Sequence, residues 1–385
     1  MKVHLSETAV SRRQFIRAMG LASVSLATIM ACAPGAPSAG SPGGVAKSGT
    51  ASALDELVAA ARREGKLSVV TTIGEGYRVA LSTFEEAYPG ITLDHTNLNS
   101  SQFTPRAVQE FQSGVHAYDV QANTFGPSTI PLIKEGVITP IRPVIDDPAL
   151  TADATWQDGF EAGFVDDEKK WIYRAFVNRS QSLYINTDQV AEGEIKRIED
   201  LLNPKWKGKI VSSDPRAVGA GWWPATVMRL ALGDDTIIKR LYKDQDVLLL
   251  RNNRQSTEAM VRGTHAIGLG AVYDVVLQEF IAEGLAKNIK EIQLDNVNYV
   301  TDSSNLSLFS KAPNPNAAKL FIHWIMSKEG ATAWSKASLT NSRRADVPAA
   351  YPDLAPTPGV KYLVTYQSSV DAVERTAELA KEALN

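Results

Sequence analysis

From residue 67 onward the chain alternates short runs of β-branched and apolar residues with stretches whose apolar positions recur every three to four residues. No other feature narrows the fold as far, because strands separated by helices of this length pair in parallel as βαβ units. Leu54, Leu57, Val58 and Ala61 fall at i, i+3, i+4 and i+7 and predict an opening helix that stops near Gly65. Residues 67–72 then predict a strand, 79–87 a helix, 91–94 a strand, and the Tyr88-Pro89-Gly90 turn separates the last two. A helix around 105–113, a strand at 118–122 and a helix at 128–135 continue the pattern. Residues 171–185 form a long β-like stretch, interrupted by Arg174, Asn178 and Arg179, that is long enough to cross between domains. Short β runs follow at 209–212, 247–250 and 266–269, again with helices between. Asn314 through Gly330 reads as one helix, with Asn314 as cap, Pro315 in the first turn and Gly330 as the stop. Residues 369–384 predict a C-terminal helix.

The chain's beginning reads as an address. Arg12-Arg13 within Ser11-Arg12-Arg13-Gln14-Phe15-Ile16-Arg17 is a twin-arginine pair, followed by an apolar stretch from 18 to 31. At about 14 residues that stretch has the length of a signal-peptide core and is too short to span a bilayer. Twin-arginine signals are receptor-read export addresses. Ala31-Cys32 resembles the end of a lipobox, so residues 1–31 are expected to be the signal and Cys32 the lipidated residue. The Pro/Gly/Ser/Ala tract after it has nothing to fold with, and residues 32–52 are expected to be a flexible tether. The expected location is the periplasmic or extracellular face, lipid-anchored to the cell membrane.

A single cysteine excludes an intramolecular disulfide framework and any cysteine-based metal cluster. With 40 Lys+Arg against 43 Asp+Glu there is no basic surplus for nucleic acid. The 385 residues suffice for two or three domains. No Gly-x-Ser-x-Gly elbow, phosphate-binding Walker loop or His-Glu-x-x-His occurs, and Gly219-Ala220-Gly221 lacks the third glycine of a dinucleotide fingerprint. The five histidines (His4, His95, His116, His265 and His323) are scattered without ligand spacing.

The informative positions are loops that follow strands, since ligands of open α/β sheets bind outside the carboxyl ends of strands, near helix N-termini. Thr72, Gly74, Glu75 and Tyr77 sit in one such loop, and Asn123 and Thr124 in another. Ser213 and Arg216 lead towards Trp222 and Trp223, Asn253 caps a helix, and Tyr273 and Asp274 follow the strand at 266–269. Each loop is equally compatible with ordinary turn and cap chemistry, and the tryptophans with core packing. Arg179 and Arg216 suit bidentate capture of a carboxylate or phosphate, or pairing with a neighbouring acid.

Segments 57–70 (LVAAARREGKLSVV), 84–91 (FEEAYPGI), 203–210 (NPKWKGKI), 312–330 (APNPNAAKLFIHWIMSKEG) and 342–347 (SRRADV) resemble, in order, bacterial solute-binding proteins of ABC importers, in the ferric-iron-binding branch. The resemblance implies an α/β, two-lobed periplasmic-binding-protein fold of type II, with the ligand cleft between lobes joined by crossing hinge strands. One lobe would comprise residues 53–178 plus 303–347 and the other 179–302 plus 348–385, with hinge strands near 171–185 and 297–305. It further implies a monomeric receptor, not an enzyme and without a cofactor. Such a receptor captures a small solute, closes by hinge bending and delivers the solute to a permease and its ATPase.

The resemblance leaves the ligand open. Iron-binding members place two adjacent tyrosines at the cleft, often with a histidine and a carboxylate from the other lobe. Tyr273 matches the first tyrosine, but Asp274 follows it, the loop at 73–74 has no histidine, and Asn123-Thr124 stand where a glutamate is expected. Fe(III) favours several anionic oxygens, so iron on Tyr273 and Asp274 is the alternative reading. An anionic organic solute leads. The loop 212–221, with Ser213 and Arg216, corresponds to the region where iron-binding relatives hold their anion, and Asn253 falls on a matching polar position. Arg179 and Arg254 are further cations, while Tyr273 and Trp222 suit an apolar part of the solute. Asp274 and Glu75 point towards an amine or zwitterion. Thr72, Gly74, Tyr77, Asn123, Thr124 and Ser304 complete the expected cleft.

Overall fold

The computed structural model describes residues 49–385, apart from 180–182, 217–221, 271–273, 302–303, 358 and 361. The expected signal, Cys32, most of the tether and Tyr273 lie outside the described residues, and of Glu75, Trp222, Asn253 and Asp274 only the backbone is described. Among the described residues no helix is long and apolar enough to cross a membrane.

The opening helix, Gly49–Glu64, starts within the expected tether and leads into the strand Lys66–Thr71. That strand pairs in parallel with Thr92–Asn97 on one side and Val120–Asn123 on the other. Asn305–Phe309 adds antiparallel to Val120–Asn123 and also carries Ile138–Thr139 and Tyr173–Arg174, completing a six-stranded sheet. A five-stranded second sheet runs in the order Ile289–Ile292, Leu183–Asn186, Ile267–Leu269, Ile210–Ser213, Leu248–Leu250. Its last three strands are parallel and Leu183–Asn186 is antiparallel to both its neighbours. The result is the mixed α/β, two-lobed architecture expected above.

The long β stretch does not form one crossing strand. Tyr173–Arg174 belongs to the first sheet, Phe176–Arg179 to a separate three-stranded bridging sheet, and Leu183–Asn186 to the second sheet. Each ladder demands its own partners, so the chain changes partners as it passes from one half to the other. In the bridging sheet Phe176–Arg179 is flanked, both antiparallel, by Val300–Thr301 and Asn341–Ser342.

Alternate residues of each strand feed opposite faces. Val69 joins a core with Phe84, Phe321, Trp324 and Trp334, whereas Val70 joins one with Phe103, Tyr118 and Phe309. In the second sheet Ile185 and Ile210 face one core, Tyr184 and Val211 the other. Each such side chain, fully buried, contributes about 1.5–3 kcal/mol from hydrophobic transfer. Close packing also explains Gly76, where a Cβ would fall 1.9 Å from the Ala337 carbonyl oxygen of the facing helix.

The single helix expected over 314–330 is two, Pro315–Met326 and Lys328–Ser338. Ser327 is extended between them, and its hydroxyl accepts from Gly330 N at 3.1 Å. Gly330 therefore lies in the first turn of the second helix and does not end the first. Asn314 does not cap with its side chain, which donates instead to buried Asp119 at 2.9 Å. The cap comes from afar: the Glu64 carboxylate accepts from Asn316 N at 3.1 Å and Ala317 N at 2.8 Å. The C-terminal helix, Val370–Leu384, packs on the second half, with Ala380 in that core and Arg229 donating to Thr376 Oγ1 at 2.9 Å.

Candidate ligand-binding cleft

At the carboxyl ends of the first sheet, Thr72 Oγ1 donates to Asn99 Oδ1 at 3.1 Å, and Gly74 precedes the helix Glu75–Ala87. Asn97 Nδ2 donates to the Gly74 carbonyl at 3.4 Å. Its buried Oδ1 has no hydrogen-bond partner among the described residues. Asn97 escaped the sequence reading because the second strand was placed at 91–94, whereas it runs Thr92–Asn97 and ends on this residue.

Asn123 is 1% exposed, and both its amide oxygen and its amide nitrogen are engaged. Its Nδ2 donates to Leu98 O at 3.1 Å, and its Oδ1 accepts from Thr124 N at 2.8 Å and Ser100 Oγ at 3.1 Å. Asn123 thus knots two loops together, and Thr124, half-buried beside it, is the residue of the pair nearer solvent. Two other expected cleft residues belong to packing. Tyr77 is 5% exposed with its ring 5.7 Å from that of Trp334, and the fully buried Ser304 Oγ accepts from Trp334 Nε1 at 3.0 Å. An aromatic ring one turn into a helix, facing a tryptophan, buries more apolar surface in the core than in a cleft.

At the carboxyl ends of the second sheet, Ser213 Oγ donates to Gly270 O at 2.8 Å. Asp214 follows, with a side chain 4% exposed. It accepts from Arg216 Nε at 2.9 Å and Nη2 at 3.0 Å, and from Arg251 Nε at 3.2 Å. These bonds, the Arg216 side chain first among them, draw the Asp214 carboxyl down to about 2. Arg179 likewise has a partner, Glu291, at 3.3 Å, and donates to Asp353 O at 2.6 Å. Arg254 pairs with Glu279 at 2.7 Å and stands half exposed. The three arginines expected to meet an anion therefore each carry an acidic neighbour: Arg254 also pairs with Glu258 one helical turn on, at 3.5 Å, whereas the partner of Arg179 lies too far along the chain for its spacing to show. The helix cap is Asn252, not Asn253: Asn252 Oδ1 accepts from Arg254 N at 2.9 Å and Gln255 N at 3.2 Å.

Three helices begin after strands of this sheet, at Trp222, Asn253 and Asp274. Their N-termini favour negative charge. Among the described residues no group of three or more His, Cys, Asp or Glu is placed to hold a metal ion.

A sequence profile of the bacterial extracellular solute-binding proteins matches residues 67–332. The chain belongs to that family. Such solute-binding proteins are components of ABC transporters, binding small solutes outside the cytoplasmic membrane. An uncharacterised protein of Haemophilus influenzae is 25% identical over 183 residues, covering 43% of this chain and 50% of that relative's length. Among solved structures, a Trichodesmium protein (IdiA, FutA) in complex with iron and citrate gives a TM-score of 0.65 at 16% identity. That likeness spans 83% of this chain and 99% of the other. The periplasmic binding protein AfuA from Actinobacillus pleuropneumoniae, with fructose-6-phosphate bound, gives 0.58 at 18% identity, over 82% of this chain and 97% of the other. At such identities these likenesses establish the fold, and the solute of this solute-binding protein is argued from its own residues.

Proposed function

We propose that this solute-binding protein captures a small organic anion between its two halves and passes it to a permease and its ATPase, performing no reaction on it. The observation that carries the reading is the knot at Asp214, where two guanidinium groups share one carboxylate. The carboxyl end of the Ile210–Ser213 strand therefore keeps a net positive charge although Arg216 is paired. Asp214 occupies Nε and one N–H of Nη2 of Arg216, and in this reading the remaining guanidinium N–H groups meet the solute. Helix N-termini at Trp222 and Asp274 add N–H donors for the same charge. Citrate and fructose-6-phosphate, present in the two solved relatives, are anions of this kind.

Iron on Tyr273 and Asp274 is the second reading, favoured by the iron in the Trichodesmium complex. Calorimetry on protein stripped by partial unfolding and dialysis separates the two. Heat with citrate or sugar phosphates, lost in Arg216→Ala, supports the anion. Heat with Fe(III) alone, lost in Tyr273→Phe, replaces it by iron, and silence with all of them overturns the anion reading.

On the strength of Arg12-Arg13 and the segment ending at Cys32 we propose that the protein works outside the membrane, held by a lipid on Cys32, and from the family likeness that it acts as a monomer. Cys32→Ala should then move it from the membrane to the soluble fraction, and unchanged partition would remove the anchor from the proposal.

A further inference from the structure

A cavity of about 260 Å³ lies against the bridging sheet, which contributes Val177 and Val300 to its wall. None of its lining residues belongs to the strand-end loops described above. Its size is just below the roughly 300–1,000 Å³ of sites for drug-sized molecules. Its lining includes the apolar Val177, Val300 and Val364. Arg343, Arg174 and Tyr366 are among its polar members.

Arg343 is 3% exposed, and the hydrogen bonds of its guanidinium run to main-chain carbonyls instead of carboxylates. Its Nη1 donates to Arg174 O at 3.1 Å, and Nη2 to Gln157 O at 2.6 Å and Gly159 O at 3.0 Å. All three acceptors are neutral. Asp158, the acid on the cavity's rim, is exposed and acts on Arg343 only through space. Arg174, also 3% exposed, donates to Ala162 O at 3.0 Å and lies over the Tyr366 ring at 5.3 Å, adding a second guanidinium to the same wall. Neutral carbonyls orient the Arg343 guanidinium without cancelling its charge, and a buried cation gains most from an anion seated within hydrogen-bond reach.

We propose that this cavity is a second ligand site, separate from the cleft, that takes a small monocarboxylate with an apolar body. The carboxylate meets Arg343 and the body lies among Val177, Val300 and Val364. A strap of residues 360 and 362–367, which gives Val360, Tyr362, Val364 and Tyr366 to the lining, is tied to both halves. Val300 N donates to Leu363 O at 3.0 Å, Leu363 N to Asn298 O at 2.9 Å, and Gln367 N to Val165 O at 2.8 Å. A molecule seated there touches the bridging strands on which any movement of the two halves turns.

The probe is benzoate, titrated by calorimetry into the purified, ligand-stripped protein, with neutral benzamide as control. Benzoate should bind one to one and benzamide at least about tenfold more weakly, since only the former offers charge to Arg343. Val364→Phe fills the cavity from the strap and should weaken benzoate by about tenfold or more with the melting midpoint held. Should that variant not fold, Val360→Phe, on the exposed part of the same strap, replaces it. Arg216→Ala should leave benzoate binding unchanged. No heat at about 10 mM benzoate, equal affinity in the cavity-filled variant, or loss of binding in Arg216→Ala would each overturn the proposal.

Discussion

The Asp214 carboxylate and the Arg216 guanidinium, two residues apart, meet in a two-point pair with Nε at 2.9 Å and Nη2 at 3.0 Å. The pair sits at the end of the Ile210–Ser213 strand, with Asp214 out of solvent and Arg216 partly in it. It therefore fixes the direction of a cation at the place where we propose that the solute is held.

Asp214 titrates near 2 in the folded protein instead of at its ordinary 3.8. A depressed carboxyl stabilises the fold at any pH above its unfolded value, and that contribution is lost as the pH falls from about 4 through about 2. The expected size is about 2 kcal/mol. Asp214→Asn should lower the melting midpoint at pH 7 by a few degrees and flatten the decline between pH 4 and 2. An unaltered acid limb in that variant would mean that Asp214 is not the group responsible.

Glu64 ends the first helix and receives the free N–H groups of Asn316 and Ala317 at the start of another. A carboxylate at a helix N-terminus satisfies orphan donors and opposes the macrodipole. Glu64→Ala should cost about 1 kcal/mol, measured by urea unfolding at unchanged m-value, while Glu64→Gln should recover part of it.

How much of this was legible in the sequence depends on how local each determinant is. The strand-and-helix alternation was readable because hydrophobic periodicity is written within each element. The break at Ser327 was not, because it follows from a serine hydroxyl preferring Gly330 N to helix continuation. Asn314 looked like a cap, but Asp119, nearly two hundred residues earlier in the chain, claims its side chain. Tyr77 looked like a cleft residue because its place in the sequence suggests a loop after a strand, and Ser304 was expected in the same cleft; only Trp334, brought in by a helix from the far end of the chain, turns them inward. Arg343 stood in the family-like segment 342–347, but nothing there pointed to a cavity, since the cavity is assembled from segments near 157, 177, 300 and 364.

Ser304 and Trp334 give a direct check of that inward placement. Ser304→Ala removes the acceptor of a buried indole N–H, which should cost about 1–3 kcal/mol. Solute affinity should stay the same once the variant is compared at a temperature where both proteins are folded. A drop in affinity without a drop in stability would return Ser304 to the cleft.

Asn252 and Asn253 are adjacent, and the structure assigns them different work. Asn252 accepts from two backbone N–H groups at the start of the helix Asn253–Val261. Asn252→Ala should therefore lower stability by about 1 kcal/mol and leave the solute's dissociation constant nearly unchanged. Asn253 opens the helix without being its cap, so Asn253→Ala should leave the melting midpoint within a degree or so, as ordinary substitutions do. If Asn253 touches the solute, that same variant weakens binding by several fold in the calorimetric assay. Reversed results, with Asn253→Ala destabilising and Asn252→Ala silent, would shift the cap by one residue and withdraw Asn253 from the proposed cleft.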